Sequence, residues 1–211
     1  MEILRDRVDA GRKLSGALTH LKGEYPVVLG IPRGGVIVAA EIAKALDAPL
    51  GILVVRKLGV PGREEFGFGA IGEGGVRVLD EDTLVMLKID DETVDRIEER
   101  ERAELDRMIA LFRGDEDGPD ITGRTVVLVD DGLATGGTML AAVGVVRALL
   151  ATKVVVAAGV SSLDAAKLLA GEADEVVVVM APQWFTSVGQ WYEDFRQTTD
   201  EEVSEALKDG S

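Results

Sequence analysis

Residues 126–138 read VVLVDDGLATGGT: a β-branched apolar run, two adjacent carboxylates at Asp130 and Asp131, then Gly, Thr and small residues ahead of a helical pattern over 139–150. A strand that ends in such a loop and opens a helix has the geometry for seizing a phosphate. Backbone N–H groups over residues 135–138 lack intrahelical partners at a helix start, and the partial positive charge there favours an anion. Gly136 and Gly137 let an oxyanion approach the backbone, and the hydroxyls of Thr135 and Thr138 add donors. Asp130 and Asp131 stand at the carboxyl end of the strand. There they can accept hydrogen bonds from a vicinal diol or ligate Mg²⁺ through water. A diol beside a phosphate is the chemistry of a ribose 5-phosphate.

Two other phosphate motifs fail. A P-loop needs a Lys after its last Gly, and Thr138 follows Gly137; the G-x-G-x-x-G fingerprint is absent after the first strand. Gly72, Gly74 and Gly75 lie between short apolar stretches and read as a hairpin turn. A second anion site is expected at Ile31–Pro32–Arg33–Gly34–Gly35, where an Arg and two glycines again precede a helix.

The elements that must hold these loops alternate. Helical spacing of Ala10, Leu14, Leu18 and Leu21 predicts a helix over 9–21, followed by a strand over 27–31, a helix over 36–46 and a strand over 50–55. A Gly-rich loop spans 57–75, with a short strand over 76–79. A charged helix over 90–112 presents Val94, Ile97, Leu105, Met108 and Ile109 as its apolar stripe, and 114–119 breaks it. A strand over 154–160, a helix over 163–170 and a strand over 176–180 complete the pattern. Ser161 with Asp164, and Thr199 with Glu202, have the form of capping boxes. Fully apolar runs such as VVLV imply strands buried on both faces. The expected fold is α/β: a doubly wound, mainly parallel sheet flanked by helices, with both anion loops at its carboxyl edge.

On VVLVDDGLATGGT the chain resembles the type I phosphoribosyltransferases, whose signature for phosphoribosyl pyrophosphate is an apolar strand, two acids and a T-G-G-T loop. The resemblance implies a single domain over 1–211, with Leu133, Ala134, Thr135, Gly136, Gly137 and Thr138 on the sugar phosphate. Arg33, Gly34 and Gly35 would hold pyrophosphate in a loop that often contains a non-prolyl cis peptide. It implies Mg²⁺, a heterocyclic base as second substrate and a homodimer. A mobile lid over about 57–75 would close over the site, with Lys57 reaching the pyrophosphate and Arg63, Glu64 or Glu65 entering on closure. Five of the nine aromatic residues fall between residues 184 and 195. This segment is similar to the family's base-holding hood, about 181–196, with Val188, Trp191 and Tyr192 against the base and Asp194 near the metal. Enzymes for 6-oxopurines commonly carry an Asp before the T-G pair, where this chain has Ala134. The loop looks more like that of adenine enzymes, with Glu64 or Glu65 as the acid–base group. R-K-L-G-V-P-G with D-D-G-L-A-T-G is similar to a bacterial and archaeal group whose acceptor base is unassigned, over about residues 5–203. A protein of this fold that binds the donor without transferring it is the alternative; a pyrophosphokinase of related fold would need an ATP site, and this sequence has no Walker-type loop.

The 211 residues carry 23 Lys and Arg against 38 Asp and Glu, a net charge of −15 that repels nucleic acid over most of the surface. A polyanionic substrate must therefore be met by local cations, Mg²⁺ and helix N-termini. Zero cysteines exclude disulfides, thiolate nucleophiles and Cys-ligated zinc, and the lone His20 reads as a helix-end residue. No apolar run approaches a membrane span and the N-terminus is too charged for a signal peptide, so a cytoplasmic protein with no membrane partner is expected.

Overall fold

The computed structural model of the chain describes residues 3–114 and 118–209, without the side chains of Glu65 and Asp209. Five strands form one parallel sheet: β1 (Val27–Gly30), β2 (Leu50–Ile52), β6 (Thr125–Leu133), β7 (Lys153–Ser161) and β8 (Glu175–Met180), in the order β2-β1-β6-β7-β8. Successive side chains leave a strand on opposite faces. Val126 and Leu128 therefore pack under α5 (Gly137–Ala148) and α6 (Leu163–Leu169), while Val127 and Val129 pack under α1 (Arg7–Ala17) and α2 (Gly34–Leu46). Continuous valine runs are what a sheet covered on both faces requires. After β2 the chain returns to the far side of β1, so the winding reverses between β1 and β6 and leaves a crevice at their carboxyl ends.

The expected doubly wound sheet is present. Several details differ. The strand expected to stop at the carboxylates runs on through Asp130 and Asp131 to Leu133, with Asp130 opposite Ala158 and Gly132 opposite Val160. The first helix ends at Ala17, and His20 lies in a following 3₁₀ turn with its ring 3.1 Å from Glu175. Ser162, one residue beyond the expected cap, caps α6 by accepting from Ala165 N–H at 3.0 Å. Thr199 and Glu202 do form the reciprocal capping box, at 2.9 and 3.2 Å.

The segment 57–75, expected as a Gly-rich loop, is mostly strand. β3 (Val55–Val60), β4 (Arg63–Gly72) and β5 (Arg77–Leu79) make a separate antiparallel sheet, and the glycine cluster supplies the expected turn, Gly74 and Gly75 having φ of +65° and +77°. Elsewhere in the segment glycine serves close approach rather than a hinge: a Cβ at Gly59 would stand 2.7 Å from the Glu64 carbonyl, and one at Gly69 2.5 Å from the Val78 carbonyl. Leu58, Val60, Phe68 and Ile71 pack on Val94 and Ile97 of α4 (Asp91–Phe112), a cluster apart from the main core. Arg56 pairs with Glu101 of α4 at 2.6 Å, and Arg113 grips Glu73 at the β4–β5 turn. A further helix, α3 (Glu81–Leu87), is capped by Asp80; α7 (Asp200–Asp209) rests on α2. Among the described residues, no helix is long and apolar enough to cross a membrane.

Phe68 is fully buried in the smaller cluster. Phe68→Ala should cost about 3–5 kcal/mol locally. Amide exchange should then accelerate in β3, β4 and β5 while β6 and β7 stay protected. Uniform acceleration across both sheets would show that the two clusters unfold as one.

Candidate functional site

The crevice is framed by two loops. The peptide bond Pro32–Arg33 is cis, and α2 begins at once with Gly34 and Gly35. Both glycines are needed for contact with β6. A Cβ at Gly35 would stand 2.5 Å from the Val129 carbonyl and 2.9 Å from the Asp130 Cα, and one at Gly34 would overlap the Asp131 carboxylate. The anion loop expected from the sequence thus packs directly on the two acids.

Asp131 accepts from Arg7 Nε at 2.7 Å, the two side chains being 15% and 12% exposed. Arg7 also donates to the Arg196 carbonyl at 2.8 Å and lies over the Phe195 ring, 4.3 Å from its centroid. Nothing in the sequence marks Arg7; it is one of several charged residues on an unremarkable amphipathic helix. Asp130 turns back to accept the Asp131 N–H at 2.8 Å. Burial, and then the charge of Asp131, push Asp130 well above the ordinary carboxylate range. Burial also raises Asp131, against the opposing pull of Arg7. Two adjacent, partly buried carboxylates with one guanidinium between them call for a further cation or for hydroxyl donors, and Asp130 and Asp131 would suit a hydrated Mg²⁺. Asp194 does not join them. It accepts from Arg196 N–H at 3.1 Å, and among the described residues no three acidic side chains converge to hold a metal.

In the phosphate loop Ala134, Thr135 and Thr138 are exposed. Gly136 caps α5 with φ +79°, a conformation that only glycine adopts at little cost. Leu133 is buried in the core at 3% exposure, and its carbonyl accepts from Ser162 N–H at 2.9 Å. Its side chain supports the loop from beneath. Ser162 Oγ donates to the Ala134 carbonyl at 2.7 Å, anchoring the loop to the start of α6. Lys57, on β3, lays its stem over Gly67, and its ammonium lies 3.6 Å from where a Gly137 Cβ would stand. Arg33 donates to Asp200 at 2.6 Å and lines a cavity of about 350 Å³ with Arg7, Gly34, Phe195 and Thr198. The expectation for the Glu65 side chain lies outside the described residues; Glu64 is exposed, and its carboxylate accepts from Gly62 N–H at 3.2 Å.

The aromatic hood corrects the expectation most. Trp191 and Tyr192 are 7% and 5% exposed and sit in the core beside Leu4, Leu14 and Val160. A ring so enclosed offers no open face for a flat heterocycle. Tyr192 instead donates from its hydroxyl to the Asp131 carbonyl at 2.6 Å, and burial lifts its ionisation far above normal. Gly159 makes room, since a Cβ there would overlap the hydroxyl. Val188 packs against Gly132 in the same way. The segment is held from below by residues 4–5: Leu4 N–H donates to the Trp191 carbonyl at 2.9 Å and Asp194 N–H to the Arg5 carbonyl at 2.8 Å. The exposed aromatic is Trp184, at 86%.

Arg7→Met should destabilise the protein by about 3 kcal/mol, because Asp131 is left buried without its partner. Asp131→Asn in the same chain should recover much of that loss in urea denaturation. Additive effects would mean the two side chains are not energetically coupled.

Known proteins are similar to this chain in sequence and in fold. Two Mycobacterium tuberculosis proteins, from strains CDC 1551 / Oshkosh and H37Rv and both named "Putative phosphoribosyl transferase", are 50% identical over 203 residues, which is 96% of this chain and 46% of theirs. The chain therefore spans about half the length of these curated relatives. The crystal structure of TT1426 from Thermus thermophilus is 44% identical, covers 98% of each chain and aligns with a TM-score of 0.88. The model of the phosphoribosyl transferase domain matches residues 2–195, and the chain belongs to that family.

Proposed function

We propose that the chain transfers a 5-phosphoribosyl group from phosphoribosyl pyrophosphate to a ring nitrogen of a heterocyclic base, releasing pyrophosphate. The observation that supports this is the packing of Gly34 and Gly35 on the ends of Val129, Asp130 and Asp131, which brings the loop read as the pyrophosphate site and the acids read as the ribose site to one crevice at the reversal of the sheet. Backbone N–H groups over 135–138 hold the 5-phosphate, with the exposed Thr135 and Thr138 hydroxyls beside them. Asp130 and Asp131 accept from the ribose hydroxyls and so fix the sugar in register. Arg33, Lys57 and the amides of Gly34 and Gly35 take the pyrophosphate. When bound, Mg²⁺ would be held by Asp130, Asp131 and the donor's own oxygens, and would offset charge on the leaving group.

The C1–O bond breaks with its electron pair going to pyrophosphate, and the base nitrogen closes the new bond to C1. The sugar passes through an oxocarbenium-like state, as in glycoside chemistry. Side chains have little covalent work; positioning and charge placement carry the rate. The proton lost by the base needs an acceptor, for which Glu65 or Glu64 on β4 is the candidate. Closure of the β3–β4 hairpin over the crevice would keep water from the ribosyl cation.

A donor-binding protein without transfer activity is the second reading, and the burial of Trp191 and Tyr192 favours it, since the expected stacking surface is not open. One experiment separates the two: incubation with phosphoribosyl pyrophosphate, Mg²⁺ and a panel of purines, pyrimidines and other heterocycles, following pyrophosphate release, with calorimetry for donor binding. Transfer predicts release with at least one base; donor binding without release from any of them selects the second reading. No donor binding at all defeats both. In the active case Asp131→Asn should lower kcat/KM about a hundredfold or more, and Glu65→Gln should lower kcat with little change in donor affinity. An unchanged kcat would remove Glu65 from the reaction.

A further inference from the structure

Arg33 immediately precedes α2, and its guanidinium meets the protein at one point: Nε donates to Asp200 at 2.6 Å, the two side chains being 36% and 39% exposed. Among the described residues no other side chain pairs with it. A guanidinium has five N–H donors, so the four on its terminal nitrogens remain. Arg33 also lines the cavity of about 350 Å³ shared by Gly34, Gln197 and Thr198. Asp200 is held independently of this contact. It opens α7, next to the capping box of Thr199 and Glu202. Glu202 pairs with Arg196 at 2.7 Å, and Val203 is fully buried in one cluster with Val36 of α2 and with Leu105 and Phe112 of α4. An ion pair as exposed as that of Arg33 and Asp200 adds little to stability. What the contact fixes is the direction of the arginine. The family match ends at residue 195, so this carboxylate comes from the chain that follows the matched domain.

We propose that Asp200 is a positioning residue: by holding Arg33 at Nε it presents the terminal nitrogens of the guanidinium to an incoming pyrophosphate. The inference rests on the reading that Arg33 takes the pyrophosphate. A free arginine side chain samples many rotamers, and an anion that immobilises it must offset the loss of that freedom. With Nε already held, less is lost on binding. The carboxylate also repels the same anion. These opposed effects separate by chemistry, because an amide carbonyl at position 200 keeps an acceptor for Nε without the charge, and a methyl group keeps neither.

The test titrates inorganic pyrophosphate with Mg²⁺ into the full chain by calorimetry and compares Asp200→Asn with Asp200→Ala, which are equally uncharged. Asp200→Ala should bind about fivefold more weakly than Asp200→Asn. The Arg33 Nε–H signal in NMR, assigned by its loss in Arg33→Lys, should exchange with water faster in Asp200→Ala than in wild type or Asp200→Asn. Melting curves of each variant check that it is folded. Equal affinities of the two variants overturn the proposal, whether both match wild type or both bind more tightly; in the second case Asp200 only opposes the anion. Unchanged exchange in Asp200→Ala overturns it as well. If pyrophosphate binds with the expected ranking but no base is ribosylated, the transferase reading fails and this one stands. If wild type binds neither pyrophosphate nor the donor, both fail together.

Discussion

A single guanidinium carries the geometry of the crevice. Arg7 neutralises Asp131, covers Phe195 and caps the Arg196 carbonyl, so one side chain joins the first helix, the diacid strand and the C-terminal segment. Removing a carboxylate from water is costly unless its charge is met, and at 15% exposure Asp131 depends on that contact. Around the pair the backbone is drawn in by missing side chains: Gly34 leaves room for the carboxylate, and Gly159 for the tyrosine hydroxyl that fixes its main chain. The electrostatics and the packing of the site are one arrangement.

Much of this is legible in the chain itself. The apolar runs of β6 and β7 announce a sheet buried on both faces, and VVLVDDGLATGGT announces a strand that turns through a glycine loop into a helix, because both are local patterns whose physics is written in consecutive residues. Long-range pairing is different. Arg7 and Asp131 are 124 positions apart, and no periodicity or spacing links them. Ser162 escapes for a related reason: two serines stand side by side, and only the path of β7 decides which one reaches both Ala165 N–H and the Ala134 carbonyl.

Glycine misleads in one place and informs in another. Its density over 57–75 reads as a flexible loop, yet in β3 and β4 it marks where strands approach too closely for a Cβ. At 136 its positive φ is required by the turn into α5, as the loop chemistry demands. The aromatic cluster near residue 190 carries a similar ambiguity. Rings that suit stacking on a base also suit a core, and here the interior takes Trp191 and Tyr192 because Leu4 pairs with their backbone and draws them inward.

That pairing has a bearing on how the molecule comes into being on the ribosome. Arg7, 124 positions before Asp131 in the chain, meets its carboxylate, and the Tyr192 hydroxyl, 61 positions after it, meets its main-chain carbonyl. Nascent chains assemble their N-terminal portions first. Until residue 195 has left the exit tunnel, the half-built crevice holds an acid whose surroundings are incomplete, so the crevice should be completed late and all at once.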